Sequence, residues 1–219
     1  TGTLRGDRDV EFVDLPGIYS LSPYSNEEII ARNFLSSGNP DAIVNIVDAS
    51  NLERNLYLTT QLMEFGVPMI VALNQMDVVK KRGIKIKTDE LARRLNVPVV
   101  EISALRGDGI EHLADKAVDT ARKKRVAAPI IFDPEVEECL TQIEALLPAT
   151  IPERLRRFHA IKVFERDEYE VVDHGMRKSC EEFIAKVEAD LDDSSDAIIT
   201  NERYRYITSF IGDVQKKTL

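Results

Sequence analysis

Three short polar motifs each follow an apolar run, and their residue types suit ligand binding. The motifs are Asp14-Leu15-Pro16-Gly17, Asn74-Gln75-Met76-Asp77 and Ser103-Ala104-Leu105. In open parallel sheets, ligands bind outside the carboxyl ends of the strands. If the apolar runs are strands of one such sheet, the three motifs lie at the edge where ligands bind.

The first motif has the chemistry of a phosphate and metal site. A carboxylate at a strand end, here Asp14, can hold Mg²⁺ through water, as acidic residues do in phosphate-handling proteins. Gly17 has no Cβ, so its backbone N–H can approach a terminal phosphate. Asp and Gly are also ordinary turn residues, and this motif alone is a weak signal.

The second and third motifs suit a guanine base. The carboxylate of Asp77 can accept from N1–H and the 2-amino group of guanine, a donor pair that adenine lacks, and such a site rejects the wrong base. Asn74 would bridge the base and the neighbouring loops. The small Ala104 would let its backbone N–H reach guanine O6, while Ser103 braces the loop that holds Asp77. The order and spacing of all three motifs favour a guanine nucleotide over coincidence.

The elements that must position these motifs alternate along the first 130 residues. Apolar runs rich in Val and Ile, typical of strands covered on both faces, occur at residues 10–13, 42–47, 67–73 and 97–102. Helical patterns occur at residues 27–35, 52–63, 89–95 and 110–117. This alternation predicts an α/β fold with a doubly wound, mostly parallel sheet.

The pattern changes after Pro129. No strand-like run stands out there, and apolar stripes at helical spacing run through residues 136–147 and 180–191. We therefore predict two domains: 1–128, an α/β domain from about its second strand onward, and 129–219, a small all-α domain of roughly four helices.

Composition narrows the classes of function. The net charge of −9 over 219 residues makes nucleic acid an unlikely partner. The basic cluster at residues 122–125 is expected to end a helix, where cations suit the dipole. Cys139 and Cys180 match no metal or disulfide framework, and Cys180, on an apolar helical stripe, is expected to be a buried thiol in a reducing compartment. No run approaches the length of a membrane span.

Three stretches of the sequence resemble those of a known protein family. DLPGIYSLSPYS, VDASNLERNLYLTTQLMEFGVPMIVALNQMD and SALRGDGI resemble the cytosolic GTPase domain of the bacterial ferrous iron transport protein B family, within the Ras-like GTPases. The likeness is strong from residue 10 to about 117. The later helices resemble that family's helical spacer, which supports nucleotide binding and links the GTPase to the membrane.

The resemblance implies a role for each part. The intact protein would bind GTP and GDP and hydrolyse GTP to GDP and phosphate with Mg²⁺, on the cytoplasmic side of the bacterial inner membrane. Nucleotide state would be coupled to Fe²⁺ uptake through a membrane domain outside this chain, with a homo-oligomer as a further expectation. Asp14 and Gly17 would be the Mg²⁺-side carboxylate and the γ-phosphate-sensing glycine of switch II.

The chain also departs from the family pattern. No G-x-x-x-x-G-K-[ST] P-loop is found. We expect the first strand, P-loop, first helix and switch I to be missing together, on the order of 40–50 residues. The guanine pocket would then be largely intact and the phosphate pocket absent. Gln75 stands where many GTPases have Lys, and no Gln follows Gly17 to orient the attacking water.

Two alternatives remain open at this point. One is a different Ras-like GTPase, such as one acting on ribosomes or tRNA, which the ASNLERNLYLT run and the acidic charge disfavour. The other is a nucleotide-free helical interaction fragment, which the missing P-loop supports. Enzymatic activity is therefore expected of the intact protein and is open for this chain.

Overall fold

A computed structural model describes residues 2–3, 10–22, 25–170 and 172–218. The chain divides into two compact units: unit 1 comprises residues 1–63, 67–128 and 207–219, and unit 2 comprises residues 64–66 and 129–206. The sequence had assigned residues 207–219 to the helical domain and residues 64–66 to the α/β domain. As a division into family domains, 1–128 and 129–219 stays a prediction.

Unit 1 alternates strands and helices, as expected of an α/β fold. Its strands are β1 (Gly2–Thr3), β2 (Glu11–Phe12), β3 (Ile43–Asp48), β4 (Met69–Asn74), β5 (Ile84–Ile86), β6 (Val99–Glu101) and β7 (Gln215–Lys217). Its helices are α1 (Asn26–Ser37), α2 (Leu52–Leu62), α3 (Met76–Lys81), α4 (Thr88–Leu95) and α5 (Ile110–Lys123). Within the described residues, β3, β4 and β6 form one parallel sheet in the order β3-β4-β6.

The central strand β4 is built from a continuous apolar run. Its residues from Met69 to Leu73 are all buried, as expected of a strand covered on both faces. Strand β3 differs from the prediction, because it buries alternate residues and leaves Ile46 60% exposed. Among the described residues, the face of β3 that carries Ile46 is therefore not covered along its whole length.

Local sequence signals account for the helices that flank the sheet. Ser25 caps α1, with its side chain accepting from the N–H of Glu28 while the Glu28 carboxylate accepts from the N–H of Ser25. On α2, the predicted stripe is buried. Helix α5 ends at Lys123 within the basic cluster, which confirms that expectation.

The expectation that no strand follows residue 129 is wrong. Strand β7 pairs antiparallel with β5, with Gln215 opposite Ile86 and Lys217 opposite Ile84. The N–H and the side-chain hydroxyl of Thr218 both donate to the carbonyl of Gly83, at 2.7 and 2.8 Å. A three-residue polar strand carries no apolar pattern, and its pairing depends on a distant partner rather than on local sequence.

Unit 2 is helical in its described residues: α6 (Pro134–Leu146), α7 (Arg156–Phe164), α8 (His174–Leu191) and α9 (Ser195–Val214), whose last residues fall in unit 1. The predicted apolar stripes meet in one core. Both cysteines are free and buried there, as predicted for Cys180, and burial raises the pKa of the Cys139 thiol to about 12. No helix in the described part of the chain combines the length and hydropathy that crossing a membrane requires.

Unit 2 contains a buried ion pair between Arg203 and Glu64. The guanidinium of Arg203 on α9 meets both carboxylate oxygens of Glu64 at 2.8 Å, and both side chains are almost fully buried. Removing one partner of such a pair leaves a buried charge without compensation, a loss of about 3–5 kcal/mol. The turn at residues 64–66 therefore belongs to the helical unit for an electrostatic reason.

Candidate functional site

The second motif occupies a sharp transition from strand to helix. Strand β4 ends at Asn74, and Gln75 adopts a left-handed backbone conformation with φ of 63° before α3 begins at Met76. Met76 is buried and anchors the first turn of α3 in the core, which leaves Asp77 half-buried beside the strand end. The sheet edge thus presents an amide and a carboxylate within four residues.

Asn74 joins the second motif to the third. Its side-chain oxygen Oδ1 accepts a hydrogen bond from the N–H of Gln75 at 2.9 Å and another from the N–H of Ala104 at 2.9 Å. The half-buried side-chain amide of Asn74 therefore accepts from two backbone N–H groups on separate loops. Its loss would leave both donors without this partner. The sequence predicts that Asn74 bridges the base and the neighbouring loops; the contact between the loops is present, and the contact with the base stays a prediction.

Ser103 holds Asp77 as the sequence predicted. The Ser103 hydroxyl donates to Asp77 Oδ1 at 3.2 Å, and Ser103 itself is buried. Its backbone is fixed by a pair of hydrogen bonds with Asp108, at 3.0 and 3.1 Å. These contacts bring Asn74, Asp77, Ser103 and Ala104 together, and we call this set of four residues the base-side corner.

The turn behind Ser103 was not anticipated. Gly109 has φ of 77°, and a Cβ there would lie 2.5 Å from the carbonyl oxygen of Glu101, so only glycine fits. The Gly107-Asp108-Gly109 sequence is the signal that marks such a turn. Leu105, by contrast, is 96% exposed, and its side chain is not packed against the corner.

The first motif lies on what we call the phosphate-side segment, residues 10–22. Asp14 and Gly17 are exposed, while Leu15 and Pro16 are half-buried. A Cβ at Gly17 would meet nothing within 4 Å in the described part of the chain, so no contact with those residues requires glycine there. Among the described residues, the hydrogen bonds of the base-side corner do not extend to Asp14 or Gly17.

Sequence reasoning also missed the contacts that hold the end of this segment. The N–H of Leu21 donates to Oε1 of Gln61 on α2 at 2.8 Å, and the guanidinium of Arg54 lies 4.4 Å from the centroid of the Tyr19 ring. No local signal marks Gln61 for this role, because its partner lies 40 residues earlier in the chain.

Asp14 is the carboxylate that the sequence assigns to a metal at this site. In the described ranges, His, Cys, Asp and Glu side chains nowhere gather in groups of three or more that could hold an ion. Asp14 is exposed and fits one water-mediated contact to Mg²⁺, with the remaining ligands coming from water and phosphate.

Family models match both parts of the chain. A model described as "Ferrous iron transport protein B" matches residues 1–117, and one described as "FeoB cytosolic helical domain" matches residues 132–216. The Fe(2+) transporter FeoB of Escherichia coli strain K12 is 37% identical over 97% of this chain, and that of Salmonella typhimurium is 36% identical over 97%. The chain spans 28% of the length of these relatives.

Solved structures give the same result. A mutant of NFeoB from S. thermophilus bound to GDP is 42% identical, with a TM-score of 0.91 over 98% of this chain and 84% of that one. NFeoB from S. thermophilus bound to mGMPPNP is 42% identical, with a TM-score of 0.89 over 100% of this chain and 84% of that one.

The chain consists of a G domain followed by a cytosolic helical domain. The parallel sheet, the similar solved structures and the matched family models all support this class. Within that class, the chain belongs to the ferrous iron transport protein B family, whose member in Escherichia coli is the Fe(2+) transporter FeoB.

Proposed function

We propose that this chain binds guanine nucleotides through the base-side corner, as part of a protein that hydrolyses GTP to GDP and phosphate. The observation that carries the proposal is the pair of hydrogen bonds to Asn74 Oδ1, from Gln75 and Ala104, together with the Ser103–Asp77 contact. They hold a carboxylate and a backbone N–H at one strand edge without any ligand.

Asp77 supplies the selectivity for guanine. One of its oxygens accepts from Ser103, and a carboxylate has further lone pairs for N1–H and the 2-amino group. The N–H of Ala104, assigned to guanine O6, donates to Asn74 in this structure. On binding, O6 therefore shares that donor with Asn74 or displaces it. Gln75, half-buried, would cover the base without adding charge.

The phosphate end belongs to Asp14 and Gly17 in this proposal. Asp14 would hold Mg²⁺ through water, and the ion would offset phosphate charge when bound. The backbone N–H of Gly17 would meet the γ-phosphate, which is supported by the exposure of Gly17 and by the open space around it among the described residues. Leu15 and Pro16 connect the two and shape the loop.

The whole protein's activity is part of the same proposal. Membership in the ferrous iron transport protein B family supports coupling of nucleotide state to Fe²⁺ uptake, with a transmembrane domain as partner on the cytoplasmic side of the bacterial inner membrane. Relatives in the same family crystallised with GDP and with GMPPNP support the guanine nucleotide as the ligand.

The test is a titration of the 219-residue chain with fluorescent GDP and fluorescent ADP in the presence of Mg²⁺. We expect GDP to bind in the micromolar range and ADP much more weakly, because adenine has no donor pair for Asp77. Equal binding of both nucleotides contradicts the assignment of Asp77. Binding of neither means that this chain alone is not a nucleotide-binding unit.

A further inference from the structure

The phosphate-side segment has a solvent-exposed middle and a buried end at Leu21. Asp14, Gly17 and Tyr19 are exposed, whereas Leu21 is only 1% exposed. Residues 14–20 lie between strand β2, which pairs with β1, and the buried Leu21. The residues that hold Leu21 therefore help to decide how Asp14 and Gly17 are presented.

Gln61 on α2 holds that end. The N–H of Leu21 donates to Gln61 Oε1 at 2.8 Å, and Gln61 is 3% exposed. A buried backbone N–H and a buried side-chain amide are each costly to leave without a partner. This hydrogen bond pairs the N–H of Leu21 with the side-chain oxygen of Gln61, and it fixes Leu21 against α2.

The other contacts of the segment are more open to solvent. Arg54 lies over the ring of Tyr19 at 4.4 Å from its centroid, and Tyr19 is 61% exposed. Arg54 and Gln61 are seven residues apart, or two helical turns, so both lie on one face of α2. The hydroxyl of Ser20 also donates to Glu28 at 3.2 Å, in a partly buried contact. Solvent weakens a cation–π contact more than a buried hydrogen bond.

We propose that Gln61 is a positioning residue for the phosphate-side segment. It fixes Leu21 as one of the two held ends between which residues 14–20 move, while the exposed Tyr19–Arg54 contact opens and closes. The part of this inference that concerns GTP rests on the proposed function. The hydrogen bond that carries it does not depend on nucleotide.

Amide hydrogen exchange at Leu21 tests the inference directly, in the 219-residue chain without nucleotide. We expect the Leu21 amide to exchange about tenfold faster or more in Gln61→Leu, because its acceptor is gone. Gln61→Glu keeps an acceptor oxygen and should restore most of the protection. The matched control, Arg54→Gln on the same face of α2, should leave Leu21 exchange unchanged.

Exchange at β4 shows whether each variant keeps the fold. Equal Leu21 exchange in the unsubstituted chain and in Gln61→Leu, with β4 amides still protected, overturns the proposal. If Gln61→Leu loses protection throughout, Gln61→Met keeps the side-chain length without the acceptor and carries the same comparison.

The catalytic readout separates positioning from a general loss of structure. In GTP hydrolysis by the full-length protein we expect Gln61→Leu to lower kcat about three- to tenfold and to leave KM within about twofold, because Gln61 does not touch the base-side corner. Gln61→Glu should recover kcat, and an unchanged kcat in Gln61→Leu overturns the catalytic part. If GDP fails to bind in the titration above, the proposed function fails, while Leu21 exchange still decides whether Gln61 holds the segment.

Discussion

The base-side corner and the phosphate-side segment differ in how much of their geometry is fixed by contacts within the chain. In the corner, Asn74, Asp77, Ser103 and Ala104 are joined by hydrogen bonds between two loops. In the segment, Asp14 and Gly17 are exposed, and a buried hydrogen bond to Gln61 holds Leu21.

This difference fits a division of labour. A rigid corner favours discrimination between bases, since a preorganised site loses little freedom on binding and rejects a base that leaves polar groups unpaired. A segment whose middle is exposed between two held ends, strand β2 and Leu21, favours movement, since few contacts must break for that middle to change position. Substitutions can test each half of the comparison separately.

Gly109→Ala should have the largest effect on the fold. Gly109 has φ of 77°, and a Cβ would meet the Glu101 carbonyl at 2.5 Å. We expect a loss of about 3 kcal/mol in the free energy of unfolding, from backbone strain and overlap together. Urea denaturation measures it.

Gly107→Ala is the matched control for that prediction. Gly107 also has a positive φ, of 76°, but a Cβ there meets nothing within 4 Å. We expect only the strain, about 1 kcal/mol. Equal losses in the two variants would show that the contact behind the corner does not fix the turn, and the corner would be less rigid than the comparison holds.

Asn74→Ala should have the next largest effect. It removes the acceptor of the Gln75 and Ala104 N–H groups, so we expect a loss of about 2 kcal/mol in the free energy of unfolding and faster exchange of the Ala104 amide. Asn74→Asp keeps an acceptor oxygen and should preserve that amide's protection. Unchanged Ala104 exchange in Asn74→Ala would mean that the two loops are held together by other contacts.

Asp77→Asn should change binding more than folding. The amide cannot accept from both guanine donors, so we expect GDP affinity to fall about 10- to 100-fold. The remaining oxygen can still accept from Ser103, so the free energy of unfolding should change by less than about 1 kcal/mol. Fluorescent GDP titration and urea denaturation separate the two effects. A GDP affinity equal to that of the unsubstituted chain would remove Asp77 from the site.

The corner could be predicted from sequence because its signals are local. Polar residues that interrupt Val- and Ile-rich runs mark strand ends, and the parallel arrangement brings strand ends to one edge. The sequence alone therefore predicts that Asn74 bridges neighbouring loops and that Ser103 braces the loop that holds Asp77. Their partners follow from residue type, since an amide oxygen accepts and a hydroxyl donates.

The missed features depend on distant partners. Gln61 looks like an ordinary polar position on a helix until Leu21, 40 residues earlier, is packed against it. Strand β7 is short and polar, and only its pairing with β5 reveals it. Glu64 and Arg203 are each common surface residue types, and their mutual contact offsets the cost of burying their charges. Periodicity cannot report such pairs, because it describes one element at a time.

Gly17→Ala should have the smallest effect on the fold and thereby sharpen the comparison. A Cβ at Gly17 meets nothing within 4 Å, so we expect the free energy of unfolding to stay within about 0.5–1 kcal/mol, with the residual change arising in the unfolded chain. Affinity for GMPPNP should fall about fivefold relative to GDP, because only the former has a γ-phosphate to approach this backbone N–H. Urea denaturation and competition against fluorescent GDP measure the two quantities. If Gly17→Ala destabilised the chain as much as Gly109→Ala, the phosphate-side segment would be packed as tightly as the corner. Glycine at position 17 would then serve the fold and not the nucleotide.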